Sequence, residues 1–398
     1  MIGYYTIRSS LSRNREEQTP EFISLLGREL GEELRPLSLE DYLRADSALL
    51  FVATGGSEQA FLEIFDRLEG RTCRLLTSGE FNSLAASMEI LSNIRKRGGN
   101  GRIPHGDVPS VASEIRTLEN ARRAADSLRG GSLGCVGDPS DWLIASDYDA
   151  AAVKRKLGLG FVPIPMEELL SEIALKSYED NRFTERLKAA AFDADETEKA
   201  LQIYGALKRL TDRYGLRGVT VRCFDLLGAV RSTGCLALSV LNSLGVFAGC
   251  EGDMPALLSM AVLGSLAGRD LFMCNPSRFD TAAGYATFAH CTLPLTMPAR
   301  FSLDTHFESG IGVAVRGTFD PGDCTVFKCA GDLSRYFTAE GRILETPWSG
   351  ALCRTQVRVS LPDFSYFLTD PIGNHHILCK GRRARDVSAF FDLLDGKA

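Results

Sequence analysis

The chain has 398 residues, and its 45 Lys and Arg against 51 Asp and Glu give a net charge of −6. This balance argues against a nucleic-acid-binding or anionic-membrane surface, because both need concentrated positive charge. A content of 44% hydrophobic and 24% charged residues excludes disordered and fibrous classes. No apolar run reaches about 18 residues and no signal-peptide pattern opens the chain, which predicts a cytoplasmic protein without a membrane span. The eleven cysteines, none in a Cys-x-x-Cys pair, are predicted to be reduced thiols.

The first part of the chain alternates apolar runs with amphipathic stretches. Residues 48–53 form an apolar run that ends in a Gly-rich turn, and apolar residues at helical spacing follow from Phe61 onwards. Residues 74–77 repeat the strand pattern, and Asn82 is predicted to cap the next helix. Strands with apolar residues on both faces that alternate with helices predict a doubly wound α/β domain, here residues 1–115.

A second doubly wound α/β domain is predicted over residues 116–287. A long charged helix precedes a strand at 132–137, and a mostly helical stretch follows at 147–212. Strand patterns return at 215–224 and at 245–250, and a strongly apolar helix comes after the second of them. Two parallel-sheet domains in succession are therefore expected.

The sequence pattern changes in residues 288–398. Short alternating runs, as at 313–317 and 355–359, are separated by Gly, Pro and Asp turns. This pattern predicts an antiparallel sheet or a small barrel. A closing helix is predicted at 384–394. The predicted fold class is thus α/β, with two doubly wound parallel-sheet domains followed by a C-terminal antiparallel domain that resembles a β-barrel.

Three acidic residues follow predicted strands of the second domain. Asp225 comes after the strand at 215–224, and Glu251 and Asp253 come after the strand at 245–250. Acidic residues also cap helices, so a purely structural role is an alternative. Carboxylates that converge from adjacent strand ends repel each other unless a cation or a shared proton resolves the conflict. Together with a histidine, such carboxylates suit Mn²⁺, Mg²⁺ or a related divalent ion.

Histidine is scarce, because the chain has five in all. His375 and His376 are adjacent on a Gly-containing turn that precedes an apolar strand. Neighbours in an extended segment point to opposite faces, so one of the two is expected to enter a given site. A metal ligand and a packed histidine on a solvated turn are both consistent with this dipeptide.

Further polar residues lie among the C-terminal strands. His306 and Glu308 are two residues apart and would share one face of a strand, either a site wall or an exposed surface. Arg354 lies between apolar strand segments, where it forms either a cross-strand ion pair or a donor to substrate oxygens. No dinucleotide fingerprint, P-loop or G-x-S-x-G elbow stands in a fitting context, which argues against nucleotide binding and serine hydrolase chemistry.

Several short segments, in order along nearly the whole chain, make it resemble the L-fucose isomerase and L-arabinose isomerase superfamily, particularly fucose-isomerase-like sugar isomerases. The segments are residues 54–58, 82–86, 139–145, 222–228, 249–258, 306–310, 353–356 and 373–376. The resemblance implies two α/β domains followed by a small antiparallel barrel. It also implies that a divalent ion, commonly Mn²⁺, is held by two acidic residues and a histidine. The activity it implies is aldose–ketose isomerisation of an open-chain sugar through an ene-diol.

The resemblance also assigns roles to individual residues. Asp225 lies in the motif of the first acidic ligand, Glu251 and Asp253 lie in that of the second, and His375 or His376 carries the histidine ligand. The same three carboxylates are expected to serve as catalytic bases. Contacts to the distal oxygens of the sugar are expected from three further residues, namely Asn275, His306 and Arg354.

The expected partners are a small-molecule sugar and further copies of the chain, since relatives in the superfamily assemble as trimers or hexamers. Neither a nucleic acid nor a membrane is expected as a partner. Two other functions stay open: a catalytically silent carbohydrate-binding or regulatory protein of the same fold, and a metal-free hydrolase or lyase in which Asp225 and Asp253 share a proton.

Overall fold

The computed structural model describes residues 2–10, 19–45, 47–68 and 71–397, without the side chains of residues 19 and 20. The chain forms two compact units, the first made of Met1–Arg123 with Ser388–Ala398 and the second of Ala124–Val387. The division of the sequence into domains that end at residues 115, 287 and 398 stays a prediction. No helix in the described part of the chain is both long enough and apolar enough to cross a bilayer.

The first unit contains a parallel five-stranded sheet. Its strands are β1 (Ile2–Ile7), β2 (Leu34–Pro36), β3 (Leu49–Val52), β4 (Cys73–Leu76) and β5 (Gly101–Arg102). Its helices are α1 (Thr19–Leu30), α2 (Leu39–Arg44), α3 (Glu58–Phe65), α4 (Ser83–Lys96) and α5 (Val108–Leu128), which begins in this unit. The strand order is β2-β1-β3-β4-β5, with every neighbouring pair parallel.

Strand β3 shows why the apolar run at 48–53 predicts a buried strand. Leu50 and Val52 pack in one hydrophobic cluster, whereas Leu49 and Phe51 pack in another. Alternate side chains of a strand point to opposite faces, so both faces of this sheet are covered. The predicted helix cap is confirmed in its position but not in its hydrogen bond: Asn82 is the N-cap residue of α4, but its backbone is left-handed (φ 58°) and its side chain makes no capping hydrogen bond.

The second unit begins with a parallel four-stranded sheet. Its strands are β6 (Ser132–Val136), β7 (Gly160–Ile164), β8 (Gly218–Val221) and β9 (Phe247–Cys250), in the order β7-β6-β8-β9. Its helices are α6 (Ala150–Leu157), α7 (Met166–Ile173), α8 (Arg182–Lys188), α9 (Ala194–Arg213), α10 (Asp225–Ala229), α11 (Cys235–Ser243) and α12 (Met254–Ala267). Strand β7 lies inside the stretch predicted to be mostly helical. The sequence does not indicate this strand, because Gly160 and Pro163 weaken its strand pattern.

A closed antiparallel barrel follows in the same unit. Its strands are β10 (Leu271–Asp280), β11 (Tyr285–His290), β14 (Gly322–Cys329), β15 (Tyr336–Glu345), β16 (Thr355–Ser360) and β17 (His376–Lys380). They close in the order β10-β11-β16-β15-β14-β17. The strands β12 (Arg300–Asp304) and β13 (Ala314–Thr318) form a separate ribbon, and the last helices are α13 (Ser365–Thr369) and α14 (Ala384–Leu394).

The predicted fold class is confirmed, because two parallel sheets with helices precede an antiparallel barrel. The fold brings Glu251, His290 and His375 together within the second unit. The strand order of its sheet reverses at β6 and β8, and ligand sites in such sheets collect at the carboxyl ends of strands. Glu251 follows β9 at that edge, while His290 ends β11 and His375 precedes β17 in the barrel.

Candidate metal centre

Three side chains of the second unit could hold a metal ion. One ligand atom from each of Glu251, His290 and His375 lies within 4.8 Å of the others. Glu251 Oε1 is 3.5 Å from His375 Nε2, close to the roughly 3.0–3.4 Å that separates adjacent ligands about 2.1 Å from one ion. His375 Nε2 is buried and has no hydrogen-bond partner among the described residues. One carboxylate and two imidazoles with an unpartnered nitrogen therefore fit a divalent cation.

Asp253 contacts His375 at Nδ1 and not at the unpartnered Nε2. His375 Nδ1 donates a hydrogen bond of 2.8 Å to Asp253 Oδ2, and both side chains are fully buried. Asp253 Oδ1 accepts the N–H of Ala256 at 2.7 Å and so caps α12. A carboxylate on the second nitrogen fixes the tautomer and orientation of a ligating histidine. The structure thus places Asp253 where it orients His375, and α12 holds Asp253 in turn.

A buried lysine completes this charge network. Lys328 is 1% exposed, and its Nζ lies 3.7 Å from Asp253 Oδ1 without a hydrogen bond to any described residue. Burial opposes ionisation of Asp253, but Lys328 and the hydrogen bond from His375 hold its pKa well below the ordinary value. The Asp253 carboxylate is therefore charged at neutral pH.

The two histidines of the candidate centre differ in charge. Burial works against the imidazolium of His375, but Asp253 and Glu251 outweigh it and raise the pKa of His375 to about 9. Burial also opposes ionisation of Glu251, yet His375 lowers the pKa of Glu251 to about 2. Burial lowers the pKa of His290 to about 4, so His290 is neutral at pH 7. Its Nδ1 shares a hydrogen bond of 3.1 Å with the Thr292 hydroxyl, which leaves Nε2 as the second candidate ligand nitrogen.

These pKa values predict that metal binding strengthens with pH. A cation must displace the proton of His375 Nε2, and this nitrogen is protonated below pH about 9. Mn²⁺ affinity should therefore rise about tenfold per pH unit between pH 7 and 9, then level off, with one proton released per ion. Calorimetric titration in two buffers of different ionisation enthalpy measures both quantities. An affinity independent of pH over this range would contradict the assignment of His375.

Removing the charge of Asp253 should destabilise the protein. We expect Asp253→Ala to lower the free energy of unfolding by about 3–5 kcal/mol, because Lys328 is left buried without its counter-charge. The double variant Asp253→Ala with Lys328→Met removes both charges and should recover part of the loss. Urea unfolding of the three proteins measures this, and a loss below about 1 kcal/mol in the single variant would show that the pair contributes little.

A cavity of about 80 Å³ lies next to the candidate centre. Apart from cysteines, its polar lining consists of Thr233, Glu251, Asn275, His290, His306 and Glu308. Asn275 Oδ1 is buried and has no partner in the described part of the chain, so it can accept a hydrogen bond from a ligand hydroxyl. The cavity therefore offers both acceptors and ring nitrogens for an oxygen-rich small molecule.

The predicted strand at His306 and Glu308 is instead a turn that follows β12. The Nδ1 of His306 shares a hydrogen bond of 3.0 Å with Ser309 Oγ, and Glu308 is exposed at the cavity. Arg354 is not part of the cavity lining; its Nε donates to the Thr305 carbonyl at 2.7 Å. Arg354 thus supports the turn that carries the two cavity residues.

Two other candidates pair with other groups in the structure. Asp225 is exposed, and its Oδ1 lies 3.2 Å from Arg222 Nε. His376 points away from His375: one ring nitrogen pairs with the Tyr366 hydroxyl at 3.1 Å and the other with the Asn374 carbonyl at 3.0 Å. Burial lowers the pKa of His376 to about 3. Neither side chain belongs to the group of atoms that could share an ion.

His290 is the residue that the sequence did not single out. It ends an apolar strand, and a single buried histidine in such a place has the same sequence pattern as an ordinary core residue. The one useful observation is that the chain has only five histidines, so each can be tested against the fold. No further motif surrounds it.

Comparisons with known proteins give two similar chains. No protein family model matches the sequence. Two curated proteins, one from Priestia aryabhattai and one from Priestia megaterium, are both named sulfoquinovose isomerase. Each is 24% identical over 304 residues, which cover 72% of this chain and 68% of the relative. Both relatives are sugar isomerases by name. The similarity supports the prediction that this chain is a sugar isomerase.

Proposed function

We propose that the protein is a metal-dependent aldose–ketose isomerase that acts on an open-chain sugar. The observation that carries this proposal is the convergence of Glu251, His290 and His375 around one point beside a polar cavity. The similarity to proteins named sulfoquinovose isomerase supports the same class. Assembly into trimers or hexamers, which the superfamily resemblance implies, is part of the proposal and is tested by light scattering.

The ligand set of the proposal differs from the sequence assignment. Glu251 and His375 are retained, His290 is added, and Asp253 orients His375 through a hydrogen bond of 2.8 Å. Asp225 is left out because its carboxylate pairs with Arg222. We propose Mn²⁺ as the native ion, since the resemblance implies it and a mixed carboxylate and imidazole set accommodates it.

The isomerisation needs a group that moves a proton between C1 and C2. The bond from C2 to its hydrogen breaks, its electrons form the C1–C2 double bond, and the carbonyl oxygen takes up the negative charge. Return of the proton to C1, together with transfer of the O2 proton to O1, then forms the C2 carbonyl of the ketose. A bound divalent cation supplies a Lewis acid that stabilises this negative charge on the oxygens of the sugar.

Glu308 is the proposed base for this transfer. It lines the cavity, and its carboxylate has no hydrogen-bond or ion-pair partner among the described residues. Asp253, by contrast, is fully buried and bonded to His375. A carboxylate must reach the carbon-bound hydrogen directly, so a group with free oxygens at the cavity is suited to the task. Asn275 and His306 are proposed to bind hydroxyls of the sugar.

Incubation of the Mn²⁺-loaded protein with aldoses and ketoses tests the proposal. The panel includes sulfoquinovose, the sugar in the name of the relatives, with glucose as its counterpart without a sulfonate. We expect interconversion of at least one pair, lost on treatment with EDTA and restored by Mn²⁺. Interconversion that survives complete removal of metal would contradict the metal dependence. Cleavage products in place of an isomer would favour a metal-free hydrolase or lyase, although Asp225 and Asp253 have different partners in the structure.

The alternative function is a carbohydrate-binding protein without turnover, and the same experiment would then give a different result. A sugar would then raise the melting temperature while no product forms. The same panel, read by thermal shift and by product analysis, separates the two functions.

A further inference from the structure

The backbone at Glu251 is strained. Its φ of 64° lies in the left-handed region, which residues other than glycine rarely adopt. The next residue, Gly252, is also left-handed, and a Cβ there would lie 2.8 Å from the Asp138 carbonyl oxygen and from the Pro139 Cα. Strain of this kind persists only where the surrounding structure holds the residue in place. The segment that faces Glu251 is therefore expected to hold it.

That segment is residues 139–142, which contacts both the backbone and the side chain of Glu251. The Ser140 N–H donates to the Glu251 carbonyl at 2.9 Å. The indole Nε1 of Trp142 donates to Glu251 Oε2 at 2.6 Å. The second bond occupies one carboxylate oxygen and leaves Oε1 on the side of His375 Nε2.

Three further contacts fix the segment itself. Arg222 donates to the Pro139 carbonyl at 2.8 Å and pairs with Asp141 Oδ2 at 2.8 Å. The Trp142 ring packs edge-on against Phe224, with centroids 4.9 Å apart and planes at 82°. Trp142 is nevertheless 52% exposed, and it contacts the Phe224 ring and the Glu251 carboxylate, so it is not a residue of the hydrophobic core.

We infer that Trp142 is a positioning residue for Glu251, which it restricts to one carboxylate oxygen as a ligand of the metal ion. The inference rests on the proposed function and extends it to a residue outside the ligand set. Hydrogen-bond partners of ligating carboxylates typically change metal affinity by about 10–100-fold when removed.

The test compares Trp142→Phe, which keeps a ring but loses the N–H, with Trp348→Phe as the matched control. The chain has two tryptophans, and Trp348 packs on Arg316 with its ring centroid 3.6 Å from the guanidinium carbon. We measure Mn²⁺ binding by electron paramagnetic resonance. Trp142→Phe should weaken binding about 10–100-fold, and Trp348→Phe should leave it unchanged.

Wild-type affinity in Trp142→Phe overturns the inference and leaves the proposed function intact. Absence of Mn²⁺ binding in the wild type overturns both. A second measurement does not depend on the folding of Trp142→Phe. In Trp348→Phe, Trp142 is the one remaining tryptophan. We expect its fluorescence emission to change when diamagnetic Mg²⁺ or Zn²⁺ saturates the protein. Unchanged emission at saturation contradicts a bond between Trp142 and a metal ligand.

Discussion

Replacing His375 by Ala should abolish Mn²⁺ binding and lower kcat/KM about 10³-fold. The side chain supplies a buried nitrogen without a hydrogen-bond partner among the described residues, and without it the candidate centre retains two ligands, Glu251 and His290. Loss of a Lewis acid removes several kcal/mol of transition-state stabilisation, and about 4 kcal/mol corresponds to three orders of magnitude. Equilibrium dialysis and steady-state kinetics on the same preparation measure the two effects.

His376→Ala is the matched control for this prediction. The two histidines are neighbours and both are buried, but His376 bonds to the Tyr366 hydroxyl and the Asn374 carbonyl. We expect His376→Ala to retain Mn²⁺ binding, although the melting temperature falls because a buried ring is removed. If the two variants exchange these properties, the histidine has been assigned wrongly.

Glu308→Gln should lower kcat about 10²–10⁴-fold and leave Mn²⁺ affinity unchanged. The substitution preserves size but removes the negative charge and the basicity that let the side chain accept a proton, and general bases contribute rate factors of this order. Reaction in deuterated water gives a second readout, because product and residual substrate gain deuterium only if a base exchanges the carbon-bound hydrogen with solvent. The variant should lose incorporation together with turnover.

Glu345→Gln is the corresponding control, since Glu345 is an exposed barrel carboxylate that pairs with Arg358. It should retain both turnover and deuterium incorporation. Normal deuterium incorporation in Glu308→Gln would show that another group moves the proton, and Glu251 would be the next carboxylate to test, because it also lines the cavity.

The fold was predictable because its main patterns are local. Apolar runs such as Leu49–Val52 are buried on both faces, and the helix predicted at 384–394 is α14 (Ala384–Leu394). Strand β7 was missed because glycine and proline interrupt its pattern. The left-handed turn at Asn82 depends on packing across the fold, and no local pattern predicts that.

The candidate site was predictable only in part. Glu251 and His375 follow from strand ends and from a turn, which are features of sequence order. The sequence does not show which carboxylate is a metal ligand and which orients the histidine, because that depends on the nitrogen of His375 that each one faces. Asp253 bonds to Nδ1, whereas Glu251 lies near Nε2. Asp225 occupies an equivalent strand end, but it begins a short helix and its carboxylate turns to Arg222. Which partner a strand-end carboxylate takes depends on the tertiary structure, and the local sequence does not show it.

Lys328 also determines the electrostatic state of the site as a whole. With an imidazolium at His375, the two carboxylates Glu251 and Asp253 are balanced by two cations, so the buried groups are electroneutral. A doubly charged ion that displaces the His375 proton would leave one net positive charge among these groups, next to the cavity that the Glu308 carboxylate lines. On the proposed function, proton transfer to Glu308 moves a negative charge from that carboxylate to the oxygens of the sugar, so the positive charge of the centre would favour a substrate that becomes anionic during the reaction.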